Sequence, residues 1–123
     1  ASMMCPSLAT LADGTQVALG SGGSNRIRSA VLQVLLNLFG FSMALEQAVR
    51  APRMHLEGSR LSLEAGFSDE ALATLRERWP DLHAWPGTNL FFGGVHAVER
   101  LPDGRFRAAG DPRRGGAVAE SFG

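Results

Sequence analysis

The chain has 123 residues, enough for one domain or one piece of a larger one, and 45% of them are hydrophobic, which supplies a core. All 12 basic residues are arginines and they balance 12 acidic residues, so no net charge favours nucleic acid or an anionic membrane surface as partner. The lone Cys5 excludes an internal disulfide, and no apolar run approaches the roughly 20 residues that span a bilayer.

Ala1 to Pro6 lacks the basic region of a signal peptide. The missing initiator Met fits a chain that starts inside a longer protein. Leu8 to Leu11, Asp13-Gly14 and Thr15 to Leu19 then read as a β-hairpin, because glycine accepts the positive φ of a tight turn. That hairpin has no evident partner strand, and a two-stranded hairpin is rarely stable alone. A missing upstream segment is expected to supply more sheet.

A glycine-rich loop, Gly20 to Asn25, leads into the clearest helix. Ile27, Ala30, Val31, Val34, Leu35 and Leu38 recur at helical spacing, and Leu32 and Leu36 widen the stripe. This predicts a helix buried on most of its circumference, capped by Ser24 or Asn25 and ended by Gly40. Ser42 is expected to cap a second helix, Met43 to Val49, which Pro52 terminates. A strand pair turns at Glu57-Gly58-Ser59. Ser68 caps a third helix with Asp69 and Glu70 in its first turn, Leu72, Leu75 and Trp79 on one face, and Pro80 after its end. A short strand at Leu82 to Trp85 precedes a second hairpin, Gly94 to Leu101 and Arg105 to Ala109, turning at Pro102-Asp103-Gly104. Asp111 to Gly116 reads as a loop. The order predicts an α/β or α+β layered arrangement within a single unit, residues 1–123.

Among residues able to carry chemistry, the Gly20–Asn25 loop stands out. It joins a strand to a helix N-terminus, where backbone N–H groups lack internal partners and the dipole favours negative charge. It also reads as a turn that needs glycine for steric reasons alone. No Lys follows, and the spacing of a phosphate-binding loop is absent. His55, His83 and His96 are scattered without metal-ligand spacing, and each is expected as a surface or half-buried strand residue. Cys5 is expected as a small buried hydrophobe. Arg50, Arg53, Arg113 and Arg114 have the forks to bind carboxylates, although solvated or ion-paired structural roles are commoner.

Five stretches in series resemble the γ-glutamyltranspeptidase family. Ser2-Met3-Met4-Cys5-Pro6-Ser7-Leu8 is similar to Ser-Ser-Met-x-Pro-Thr-Ile, and Gly20-Ser21-Gly22-Gly23-Ser24-Asn25-Arg26-Ile27 to Gly-Ser-Pro-Gly-Gly-Ser-Arg-Ile. Val31 to Asn37 is similar to Val-Leu-Gln-x-x-x-Asn. Glu46 to His55 resembles Glu-Ala-x-x-Ala-Pro-Arg-Phe-His, and Asp111 to Gly116 resembles Asp-Pro-Arg-x-x-Gly.

The resemblance implies an αββα sandwich of the N-terminal-nucleophile hydrolases, made by a precursor that cleaves itself into a large and a small subunit. The new N-terminal Thr attacks a γ-glutamyl amide with its own amine as base, and water or an amino acid then accepts the group. No cofactor or metal is implied. This chain would be the C-terminal part of the small subunit. Thr10, Thr15, Thr74 and Thr88 do not match the family's start, so the nucleophile is expected upstream and the chain alone is expected to be inert. Ser2 matches the first Ser of the pair that binds the donor's α-carboxylate, and Met3 replaces the second. The family's oxyanion Gly-Gly falls on Gly23-Ser24 without gaps, or on Gly22-Gly23 if glycines are paired. The partners implied are the large subunit, the upstream part of the small subunit, a γ-glutamyl donor and an acceptor. Uncovered sheet edges and apolar faces predict self-association of the piece. Family members are commonly exported, which implies a periplasmic or secreted parent, while the residues themselves leave the compartment open. The alternatives are a related glutaryl-amide acylase, a small anion-binding module built on the glycine loop, and a non-catalytic degenerate relative.

Overall fold

A computed structural model describes residues 4–121. In chain order its elements are β1 (Ser7–Thr10), β2 (Gln16–Gly22), α1 (Ile27–Leu35) continued by a π turn (Leu36–Gly40), α2 (Leu45–Arg50), β3 (Met54–Glu57), β4 (Arg60–Leu63), α3 (Asp69–Arg78), β5 (His83–Ala84), a 3-10 turn (Leu90–Phe92), β6 (Gly94–Arg100), β7 (Phe106–Ala109) and a second 3-10 turn (Pro112–Arg114). The arrangement is α+β.

The two Asp-Gly hairpins form one antiparallel sheet in the order β1-β2-β6-β7. Each turn uses the same local device. Asp13 Oδ1 accepts from the N–H of Thr15 at 2.8 Å, and Asp103 Oδ1 accepts from the N–H of Arg105 at 3.0 Å. The first hairpin therefore finds its partner within the chain: β2 pairs with β6 from Gln16↔Arg100 to Gly22↔Gly94. A second sheet, β3-β4-β5, joins an antiparallel hairpin to a short parallel strand.

One face of the first sheet carries Val17, Leu19, Val95, Ala97 and Ala109, which pack against Ala30 and Val34 of α1 and Leu45, Ala48 and Val49 of α2. Burying each such side chain stabilises by about 1.5–3 kcal/mol for the larger ones. The opposite face, which the register assigns to Leu8, Ala18, His96, Val98 and Phe106, is exposed. The outer side of α1 is open too: Leu32 is 57% exposed and Leu36 48%, so the helix buries a narrower stripe than its apolar content predicts.

The polar breaks in that helix are clamps. The side-chain amide of Gln33 donates to the carbonyl of Met54 at 2.8 Å and accepts from its N–H at 2.8 Å, fastening β3 as another strand would. Asn37 Nδ2 donates to the carbonyl of Ala48 at 3.2 Å. The chain continues past α1 as a π turn, with the N–H of Phe41 donating to the carbonyl of Leu36. Ala44 in extended conformation, not Ser42, precedes α2. Ser68 does cap α3, accepting from the N–H of Ala71 at 3.1 Å.

The tail predicted as a loop is a capped 3-10 turn around buried charge. Asp111 accepts from the N–H of Val95 at 2.7 Å and of Arg113 at 2.9 Å, and pairs with Arg53 Nη2 at 2.7 Å. Arg113 pairs with Asp111 Oδ1 at 3.2 Å and with Glu64, whose Oε1 lies 2.7 Å from its Nε. All four side chains are at most 2% exposed. Burial alone would raise the Asp111 carboxyl, but the Arg53 guanidinium, the two N–H groups and the Arg113 guanidinium outweigh it and hold it below its ordinary value. A depressed carboxyl contributes stability above the unfolded pKa, near 4, and loses it as pH falls through the folded one. Asp111→Asn is expected to destabilise the fold by about 3–5 kcal/mol and to flatten the loss of stability below about pH 4, both read from urea unfolding at several pH values.

Candidate functional site

The glycine stretch predicted as a loop is half strand. Gly20, Ser21 and Gly22 continue β2 because β6 offers backbone partners at His96, Val95 and Gly94. Ser21 turns its hydroxyl to the helix side, accepting from the N–H of Gly94 at 3.2 Å and donating to the carbonyl of Gly22 at 3.2 Å. The turn itself shrinks to residues 23–26. Gly23 has φ +133, a conformation that side chains rarely adopt, so this glycine is required by the backbone.

Neither predicted cap forms. Arg26 precedes α1 in helical conformation with no side-chain cap. The carbonyl of Ser24 accepts from the N–H of Ile27 at 3.0 Å, and the side chain of Asn25 is spent on Glu57 Oε1 at 3.2 Å. Arg26 donates from Nε to the carbonyl of Phe91 at 3.1 Å, with its guanidinium 4.5 Å from the centroid of that ring. The backbone N–H groups of Gly23, Ser24 and Asn25 find no acceptor among the described residues.

Arg114 lies over this turn. A Cβ placed on Gly94 would sit 2.5 Å from Arg114 Cδ, and one on Gly23 would sit 3.3 Å from Arg114 Nη2. Gly94 is thus the space that the arginine stem occupies, and the guanidinium reaches the turn. No carboxylate among the described residues pairs with it. Unused backbone donors and an uncompensated guanidinium together suit an anion or a developing oxyanion. Sequence alone made Arg114 one of four equivalent arginines. Three have other partners: Arg50 pairs with Glu46 at 3.1 Å on the surface of α2, and Arg53 and Arg113 belong to the buried cluster.

Ser2 and Met3 lie outside the described residues. The segment that follows them does approach the glycines, since a Cβ on Gly20 would meet the Cα of Pro6 at 3.8 Å. Cys5 is exposed, contrary to the expectation of a buried thiol, because among the described residues no element covers the chain before β1. His83 and His96 are exposed, whereas His55 is only 6% exposed, held under α1 by Ser29 Oγ at 2.8 Å from its Nδ1. Among the described residues no three His, Cys, Asp or Glu side chains converge to hold a metal.

The gamma-glutamyltranspeptidase family profile matches residues 1–121. An acylase ACY 1 proenzyme of Pseudomonas sp. (strain V22) is 33% identical over 86% of this chain and 18% of its own length. The glutathione hydrolase proenzyme of Escherichia coli (strain K12) is 29% identical over 91% of this chain and 19% of its own. The chain thus spans about a fifth of the length of these curated relatives. Among solved structures, the transpeptidase CapD of Bacillus anthracis superposes with a TM-score of 0.83 at 26% identity, covering 97% of this chain and 71% of that one. A gamma-glutamyltranspeptidase from Pseudomonas nitroreducens, complexed with L-DON, gives 0.78 at 27% identity over 100% and 64%.

The turn's demands are unequal from residue to residue. Gly23→Ala is expected to cost about 1–3 kcal/mol through its positive φ, whereas Ser24→Ala, whose side chain caps nothing, is expected to change stability by less than about 0.5 kcal/mol. Thermal unfolding of the two variants checks the contrast.

Proposed function

The chain belongs to the gamma-glutamyltranspeptidase family, and on that premise we propose that it is the C-terminal part of the small subunit of an enzyme that transfers or hydrolyses γ-glutamyl groups of glutathione-like donors. The observation that carries this reading is the strand-to-helix turn with the free N–H groups of Gly23 and Ser24 at the end of the central strand β2. The catalytic Thr lies in the upstream part of the small subunit. It attacks the γ-glutamyl carbonyl, with its own amine taking the proton, and the carbonyl carbon becomes tetrahedral. The Gly23 and Ser24 N–H groups donate to the resulting oxyanion. Their N–H groups are already free of other acceptors, so no hydrogen bond has to break as charge develops. This supports the ungapped register, because Gly22 is engaged as a strand residue opposite Gly94. Ser2 contributes a hydroxyl to the donor's α-carboxylate, and Met3 puts a thioether where the family has a second hydroxyl. The adduct then collapses: the carbonyl re-forms, the C–N bond breaks, and the leaving amine departs with the proton that the Thr amine had taken; water or an amino acid then resolves the acyl-enzyme.

A second reading is favoured by the acylase proenzyme at 33% identity, which matches no less well than the glutathione hydrolase at 29%. A glutaryl amide keeps the carboxylate of a γ-glutamyl donor and lacks only its α-amino group, and Met3 replaces the second Ser of the family's carboxylate-binding pair, where a switch of substrate could be made.

Intact mass and turnover of the full-length parent test both. Self-cleavage with hydrolysis of a γ-glutamyl anilide supports the first reading. Self-cleavage with activity only on a glutaryl anilide supports the second. An uncleaved, inactive parent overturns both. The 123-residue chain alone is expected to give no steady turnover of either anilide. It is also expected to self-associate through its open sheet face, and Phe106→Lys is expected to reduce that association; light scattering across a concentration series, with a clean monomer as the contrary result, checks it.

A further inference from the structure

The second sheet holds a cleft that the proposed reaction does not use. Strand register puts His55, Glu57, Arg60 and Ser62 on one face of the β3–β4 hairpin, since His55 pairs with Ser62 and Glu57 with Arg60. His83, opposite Ser62, extends that face across β5. Trp85 and Phe91 close it into a space of about 450 Å³, within the range of small-molecule sites.

Its walls are built of stacked rings. Trp85 and Phe91 lie parallel, with centroids 5.1 Å apart and planes at 23°, and His83 meets Trp85 edge-on at 5.4 Å. The Nε2 of buried His55 and the Nε1 of Trp85 are both buried without a hydrogen-bond partner, although such atoms are nearly always satisfied. Trp85 Nε1 can only donate, so it needs an acceptor that the described residues do not supply.

The two charges at the mouth do not pair with each other. Glu57 and Arg60 face each other across the hairpin, yet they form no ion pair. Glu57 has Asn25 Nδ2 at 3.2 Å and His55 Nε2 at 3.8 Å. Burial lowers the His55 pKa against the pull of Glu57, so that imidazole does not neutralise the carboxylate at neutral pH. Directly opposed cross-strand residues have Cβ atoms roughly 5 Å apart. A ligand whose cation and anion are separated by one carbon fits between them.

We propose that this cleft binds a free α-amino acid with an aromatic side chain, its ammonium on Glu57, its carboxylate on Arg60, and its ring among Trp85, Phe91 and His83. A simple anion fails because Glu57 repels it. A simple cation fails because Arg60 does. Neither meets the Arg60 cation and the Glu57 anion together.

Calorimetry on the 123-residue chain tests this, with L-phenylalanine against phenethylamine, 3-phenylpropionate and L-alanine, which lack the carboxylate, the ammonium and the ring. Binding of phenylalanine with Kd of about 1 mM or tighter, and about tenfold or more weaker binding of each analogue, is expected. Arg60→Gln should remove the preference over phenethylamine, and Glu57→Gln the preference over 3-phenylpropionate. Both residues are exposed, so these variants keep the fold. No heat with phenylalanine at about 20 mM, or phenylalanine and phenethylamine binding equally, overturns the proposal.

Discussion

Four buried charges, Arg53, Glu64, Asp111 and Arg113, hold parts of the chain that are distant in sequence. Both guanidiniums also donate to the carbonyl of Val49 at the end of α2, Arg53 from Nη2 at 2.9 Å and Arg113 from Nη1 at 3.0 Å. Arg53 reaches the carbonyl of Phe92 at 3.2 Å, and Glu64 accepts from the N–H groups of Arg53 and Asn89. Asp111 takes the N–H of Val95 at the start of β6. The cluster thus joins α2, β4, the 3-10 turn before β6 and the tail. Burying charge is costly, and here the cost is offset because the carboxylates and guanidiniums hold several partners each. Loss of one member leaves the others uncompensated, so the cluster is an all-or-none device.

The glycine turn inherits its geometry from that cluster. Asp111 fixes both Val95, next to the Gly94 that pairs with Gly22, and Arg113, next to the Arg114 that covers the turn. The arginines of the two Pro-Arg motifs, Arg53 and Arg113, are thus engaged in holding the fold. They set where β6 begins, and β6 sets how far β2 extends. The free N–H groups appear where that pairing stops, at Gly23. Site and fold are coupled through one strand register.

Features governed by local rules were legible in the sequence. The Asp-Gly hairpins, the turn at Gly58 and the Ser68 cap each depend on residues within a few positions. Features governed by remote partners were not. The strand through Gly20–Gly22 exists because β6 lies beside it, and glycine-rich sequence carries no trace of that. Ser24 and Asn25 look like caps, but Asn25 is drawn to Glu57 on the second sheet. His55 looks like any strand histidine until α1 covers it. Leu32 and Leu36 have the composition of core, but a helix has only one face to give to one sheet. Asp111 and Arg113 sit in a Gly- and Pro-rich tail whose composition says loop, and their burial follows from ion pairs to residues far up the chain.

The first sheet carries apolar side chains on both faces, and the helices seal only one of them. The register puts Gly20 and Gly22 on the open face with Leu8, Ala18 and Val98, and the hydroxyl of Ser21 on the sealed one. A strand with apolar residues on both sides is the pattern of a sheet meant to be covered twice. In the proposed reading the second cover comes from the rest of the enzyme. Whatever buries Leu8 and Val98 then also draws near the Gly23 and Ser24 amides and Arg114. Closing the core and completing the site become one event. The same docking excludes water from donors that, in the open chain, interact with solvent at far lower electrostatic strength. A chain that holds its amide donors ready but leaves them wet has the geometry of half a site, and it lacks the low-dielectric surroundings that would make those donors effective.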